Sequence, residues 1–365
     1  MQHATVDPGS IGEDPSILEL ERVGADMLGK EAAIFLPTCS VANLLALMTL
    51  GERGTQAILD SNAHIVLHEA FGIAYVCGLM ARLVDSGSGP LDSDAVERAI
   101  AHAKALNLPR TTIVCLENSH MASGGTVIDP LWTRLVSETA HRHGARVHLD
   151  GARIFNSAAA LGVEARDLAA PADAVAVSLN KGLGAPYGAL LLGSSEVIQV
   201  ARVNASRLGV SSIHQAGMLA AAGLVALRTM THRLADDNRR AAMLASALNT
   251  QASQLVDVQP AETNIVIVRV KSRTMTAETL TQELARLGVL AKPRPNGNVR
   301  FVIHSLISDA DVGRTVEALA SVLARDGRLQ GAIKRTRTKG RAVPRGKGVP
   351  TVRNDSSGKV SRDPE

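Results

Sequence analysis

Residues Ala174 to Gly188 read A-V-A-V-S-L-N-K-G-L-G-A-P-Y-G. The run Ala174–Leu179 is short, apolar and partly β-branched, which is the pattern of a buried strand. It delivers one lysine, Lys181, into a turn shaped by Gly182, Gly184 and Pro186. Glycines at such a turn let another group approach the backbone closely. A lysine there can form a Schiff base with a carbonyl compound. Taken by itself, it could equally be a solvated side chain at a strand end.

A second stretch changes that reading. Arg146 to Ala159 runs R-V-H-L-D-G-A-R-I-F-N-S-A-A. Val147–Leu149 predicts a short strand ending at Asp150, followed by Gly151 and Arg153. Asp-Gly is a common turn pair. Yet an aspartate at a strand end, ahead of a strand-end lysine, is also what pyridoxal phosphate requires. That cofactor needs a lysine for its aldehyde and an acid for its pyridinium nitrogen. The two motifs together predict pyridoxal 5'-phosphate as cofactor.

Outward from these motifs, short apolar runs alternate with helical patterns. Strands are predicted at 32–36, 57–59, 81–84, 111–116, 147–149, 174–179 and 189–192. The alternation predicts an α/β fold with a mostly parallel sheet. Thr38-Cys39-Ser40 joins a strand to the apolar helical run from Val41 to Leu50. Small polar residues at such a turn place free N–H groups and a helix dipole before an anion. Ser40 could also serve simply as an N-cap. After the long helix predicted at 235–247, strands are expected near 256–258, 264–270, Val289 and 299–303, with helices near 277–287 and 308–325. The expected organisation is a large domain at 1–235, a small α+β domain at 236–327 and a disordered basic tail at 328–365.

Composition agrees. The 365 residues suffice for two domains, and 45% are hydrophobic but only 2% aromatic. Residues 331–365 hold ten Lys and Arg against three Asp and Glu, a net of +7, so the whole-chain charge of +4 leaves about −3 for the remainder. No apolar run is long enough for a membrane span. Met1–Ser10 has neither the basic start nor the apolar centre of a secretory signal. Cys39, Cys77 and Cys115 show no metal-ligand spacing, and they suit a reducing compartment. No metal is expected, and a cytoplasmic location is.

The chain resembles the low-specificity L-threonine aldolases, which are fold-type I pyridoxal-phosphate enzymes. The resemblance rests on G-E-D-P-S (12–16), G-K-E-A-A-I-F-L-P-T (29–38), L-E-N-S-H (116–120), H-L-D-G-A-R-I-F-N (148–156), S-L-N-K-G-L-G-A-P (178–186) and H-Q-A-G (214–217). It implies that Lys181 holds the cofactor and that Asp150 faces the pyridine nitrogen. It further implies that His64 stacks on the ring, and that Arg153 and Arg300 hold the substrate carboxylate. By the same resemblance Cys39 and Ser40 line the phosphate cup, where relatives carry Gly-Thr. His214 stands where relatives carry the arginine of G-G-G-M-R-Q, in a loop bordering a neighbouring subunit's cofactor. Relatives begin with R-S-D-T-V-T, which Met1–Ser10 does not match. Glu117 and Asn118, at a strand's carboxyl end, face the expected ligand crevice.

The implied activity is retro-aldol cleavage of L-threonine, L-allo-threonine and related β-hydroxy-α-amino acids to glycine and an aldehyde, with His64 or a water it holds as base. A homotetramer or homodimer is implied, with a small-molecule substrate as partner and neither membrane nor nucleic acid. The alternatives are another lyase on the same fold, by β-elimination or biosynthetic aldol addition, and a regulatory protein using the basic tail on nucleic acid.

Overall fold

Seven short strands form the central sheet, all but the edge strand Met80–Val84 built mainly from buried residues. They are β1 (Ala32–Leu36), β2 (Gln56–Asp60), β3 (Met80–Val84), β4 (Thr111–Glu117), β5 (Arg146–Asp150), β6 (Ala174–Ser178) and β7 (Ala189–Gly193). Their order across the sheet is β1-β7-β6-β5-β4-β2-β3. Only β7 runs against its neighbours, pairing antiparallel with β1 and β6. The remaining pairs are parallel, so the sheet is mostly parallel as expected. Every residue of β2, β4, β6 and β7 is buried, which explains their near-continuous apolar sequence. The computed structural model describes residues 1, 4, 14–87, 89–211, 214–272 and 274–339, with side chains described as far as residue 326.

Alternate residues of each strand feed two cores. On one face Val114, Leu116, Val147, Leu149, Val175 and Val177 pack with apolar residues of the helices Pro15–Leu28, Pro130–Arg142 and Gly217–Thr229. On the other, Ile113, Cys115, Ala174 and Ala176 meet the helices Cys39–Leu50 and Ser195–Arg207. Small residues on β6 let the helix Cys39–Leu50 lie close to the sheet, and this brings its N-terminus to the strands' carboxyl ends.

A second sheet follows: β8 (Val256–Val258), β9 (Ile265–Val270), β10 (Lys292–Pro293) and β11 (Asn298–Val302), ordered β10-β11-β9-β8 and antiparallel throughout. Leu244, Leu248, Val266, Leu280, Phe301 and Leu319 form its core with the helices Leu234–Gln251, Ala277–Arg286 and Asp309–Lys339.

Three expectations change. The strand placed near Val289 lies instead at Lys292–Pro293. The helix after Thr38 begins at Cys39, and the Thr38 hydroxyl caps it by accepting from the Val41 N–H at 3.2 Å, so Ser40 is inside the helix. The last helix continues to Lys339, past the boundary set at 327. The apolar periodicity that sets sequence boundaries fades there, but R-L-Q-G-A-I-K-R is rich in helix formers. Lysine and arginine also suit a helix C-terminus. The rest of the basic tail, 340–365, lies outside the described residues.

Candidate active site

Four candidate positions sit at the carboxyl edge of the parallel strands: Asp60 ends β2, Glu117 ends β4, Asp150 ends β5, and Lys181 follows β6. This edge is where open α/β sheets bind ligands. Glu117 and Asp150 pair directly in the parallel register and therefore share a face.

Asp150 is buried, at 2% exposure. Its Oδ2 accepts from Asn43 Nδ2 at 2.8 Å, and its Oδ1 accepts from the Ala152 N–H at 3.1 Å. Asn43 Nδ2 also donates to Glu69 Oε1 at 2.9 Å, and Asn43 Oδ1 accepts from His148 Nε2 at 2.9 Å. Burial drives the His148 pKa down to about 4, so this imidazole is neutral. His64 Nδ1 donates to Glu69 Oε1 at 3.1 Å. That bond, aided by Asp150, raises the His64 pKa above its ordinary value against the opposing effect of burial. The His64 backbone N–H donates to Glu117 Oε2 at 2.8 Å, and the Met121 N–H donates to Oε1 at 2.9 Å. Burial and then the Asp150 charge push the Glu117 carboxyl up. His64, Glu69 and Asp150 lie within 4.8 Å of one another, and the bonds through Asn43 and His64 account for their proximity.

Lys181 occupies a hydrogen-bonded turn. The Gly184 N–H donates to the Lys181 carbonyl at 3.0 Å, and the Ala185 N–H donates to Leu179 at 2.9 Å. Gly184 has φ of 72°, a conformation natural to glycine. A Cβ on Gly182 would stand 2.8 Å from Asn156 Oδ1. The lysine itself is half-buried, and no hydrogen bond or ion pair holds it among the described residues. It lies within electrostatic reach of Cys39 and His64, as does Asp150.

At the head of the helix Cys39–Leu50, the N–H groups of Cys39 and Ser40 donate to nothing among the described residues. Burial, and then the Asp150 charge, hold the Cys39 thiol well above its usual range. Its Sγ lies 3.9 Å from Asp150 Oδ1.

Arg153 makes no ion pair among the described residues, although Asp237 and Glu117 lie within its electrostatic reach. Its Nη1 donates to Asn264 Oδ1 at 3.3 Å, and burial together with nearby Arg300 lowers its pKa to about 10. Arg300, on β11, donates from Nη1 to Met121 Sδ at 2.7 Å, while its buried Nε donates to nothing among the described residues. Two neighbouring guanidinium groups, neither in an ion pair among the described residues, can receive an anion. His214 is exposed, in the turn before the helix Gly217–Thr229.

The donor set thus suits pyridoxal phosphate: among the described residues, an amine without a partner, a buried acid held by Asn43, free N–H groups at a helix start, and guanidinium groups outside any ion pair for a carboxylate. The beta-eliminating lyase family model matches residues 1–273. The chain belongs to that family.

Within it the relatives are specific. The chain is 38% identical over 327 residues to low-specificity L-threonine aldolase 1 of Arabidopsis thaliana, covering 88% of this chain and 91% of that one. It is 33% identical over 328 residues to the low specificity L-threonine aldolase of Escherichia coli K12, covering 89% and 94%. The structure of Leishmania major threonine aldolase superposes with a TM-score of 0.74 at 19% identity, covering 87% and 92%. A Sphingomonas wittichii serine palmitoyltransferase shares the fold at a TM-score of 0.68, with 19% identity and 88% and 78% coverage. The chain is therefore a pyridoxal-phosphate-dependent lyase of the low-specificity L-threonine aldolase family, with the fold-type I architecture.

Sequence reading missed Asn43, Glu69 and His148 as parts of this lyase's site. Asn43 sits mid-helix in an apolar run, and only its spatial partners reveal it. A polar residue alone on a buried helix face was the available signal. Asp14 of G-E-D-P-S caps the first helix, accepting from the Ser16 N–H at 2.8 Å and from the Ile17 N–H at 3.2 Å. A Cβ at Gly217 would stand 2.2 Å from its carboxylate, which joins two distant motifs physically.

Proposed function

We propose that this lyase cleaves L-threonine, L-allo-threonine and related β-hydroxy-α-amino acids to glycine and an aldehyde by retro-aldol scission of Cα–Cβ. The observation that carries the reading is the pair Arg153 and Arg300, neither in an ion pair among the described residues, beside the Lys181, Asp150 and His64 cluster. Relatives named as threonine aldolases over most of the chain support it.

In this reading Lys181 anchors the cofactor aldehyde between turnovers. Asp150, its geometry fixed by Asn43 and the Ala152 N–H, would hold a proton on the ring nitrogen. Cys39 and Ser40 would offer N–H groups to the phosphate, and His64 would lie against the ring. The bound cofactor supplies the electron sink for the pair left when the bond breaks. Arg153 and Arg300 grip the α-carboxylate and so aim Cα–Cβ for cleavage. His64, or a water it holds, removes the β-hydroxyl proton, which requires a neutral imidazole. His214 would border the cofactor of a neighbouring subunit in a homodimer or homotetramer.

The same reading assigns the protein to the cytoplasm, in glycine formation from threonine, with the small domain following the large one near residue 235. Three buried free cysteines support a reducing compartment, and no described helix is long and apolar enough to cross a membrane. Product analysis with threonine, allo-threonine, phenylserine and serine tests the reaction. Acetaldehyde and glycine from threonine are expected. Release of 2-oxobutanoate and ammonia instead would assign β-elimination.

A further inference from the structure

A cavity of about 460 Å³ lies between the loops after β2 and β4 and one side of the small sheet. Asn62, Ser123, Asp257, Arg269, Arg294 and Asn298 are among its walls. It adjoins the site just described. Asn62 is two residues before His64, and Arg294 Nη1 donates to the Met121 carbonyl at 3.3 Å while Arg300 Nη1 rests on the same residue's Sδ. Met121 therefore separates the cavity's arginine from the guanidinium that would grip the α-carboxylate.

The charges of the cavity are not balanced. Arg269 is paired with Asp257 across β8 and β9. Arg294 is half-buried and makes no ion pair among the described residues; the Met121 carbonyl is the one hydrogen-bond partner of its guanidinium there. It also lies within electrostatic reach of Arg300 and His68, which adds positive potential rather than relieving it. Arg153 and Arg300 already supply two forks for one α-carboxylate, so Arg294 is surplus to that task. Beside it the Ser123 hydroxyl is fixed at 2.7 Å from His120 Nδ1. His120 is itself buried, with Nε2 3.4 Å from Asp60 Oδ1, close enough for an ion pair but poorly aligned for a hydrogen bond. A wall with a fixed hydroxyl, amides and one uncompensated planar fork recognises a carboxylate.

We propose that this cavity receives the β-substituent of the substrate and that Arg294, with Ser123, binds a carboxylate within it. The inference rests on the aldolase reading and sharpens it: the favoured substrates are β-hydroxy-α-amino acids whose side chain ends in an anion.

The test uses the full-length holoenzyme with phenylserine and 4-carboxyphenylserine, in wild type, Arg294→Gln and Arg294→Lys. The wild type is expected to favour the carboxylated substrate by about tenfold in kcat/KM, the worth of one charge-assisted hydrogen bond. The ratio falls to about one in Arg294→Gln and lies between in Arg294→Lys. Calorimetric Kd values for the same two compounds read the same preference even where no aldehyde is released, so failure of the aldolase reading and failure of the subsite are distinguishable. A wild-type ratio near one overturns the proposal. So does a ratio that survives in Arg294→Gln. An equal loss on both substrates would assign Arg294 to the α-carboxylate grip, and loss of bound cofactor would assign it to cofactor binding; either result overturns the subsite.

Discussion

At the scale of single residues, the site depends on Asn43. Its side chain satisfies Asp150, Glu69 and His148 at once. Replacing it by alanine leaves buried polar groups unpaired, at about 1–3 kcal/mol each. Asn43→Ala should lower the urea midpoint and weaken cofactor binding together, read by denaturation and by equilibrium dialysis. Glu69 sets a pH dependence. Its hydrogen bond raises the folded-state pKa of His64 above the ordinary 6.5. A base must be neutral, so kcat/KM should rise as pH climbs through that raised value. In Glu69→Gln the rising limb should move to lower pH. The stability linkage has the opposite sense. The bond's contribution is fully present below 6.5 and is lost as pH rises through the folded pKa. A limb that stays in place in Glu69→Gln would remove His64 from the role of base.

At the scale of elements, strand ends carried what the sequence could reveal. Lys181 and Asp150 were legible because short apolar runs mark strands, and a charged residue at the end of such a run is conspicuous. Arg300 and His214 were legible only through resemblance, since nothing local distinguishes an arginine on a half-exposed strand. Asn43 escaped because its partner Asp150 is 107 residues away in sequence. The last helix was cut short because apolar periodicity stops before its helix-forming residues do. The helix start at Cys39 moves two residues ahead of Val41 because the Thr38 hydroxyl caps it. Thr38→Ala should therefore cost about 1 kcal/mol of stability and loosen the cofactor, measurable by thermal shift with and without pyridoxal phosphate. The Cys39 thiol is buried and held in its protonated form. Cys77 is likewise pushed up, to about 12, and Cys115 is raised by burial. Ellman's reagent should find no rapidly reacting thiol in the native protein and all three after unfolding.

At the scale of the whole molecule, two sheets with separate apolar cores meet where the arginines converge. Arg153 reaches from the large sheet's edge to Asn264, at the entry to β9, and Arg300 comes from β11. In the proposed reading substrate binding would join both cores, and a defect in the small one should reach the active site. Leu280 is fully buried in that core. Leu280→Ala should cost about 2–5 kcal/mol and raise KM for amino acid more than it weakens cofactor binding. Everything above turns on the identity of one covalent linkage. The most direct measurement is borohydride reduction of the purified protein followed by peptide mapping. The account predicts one cofactor-derived mass increment, on the peptide containing Lys181, and none in Lys181→Ala. An increment on another lysine, or none in the wild type, would contradict it.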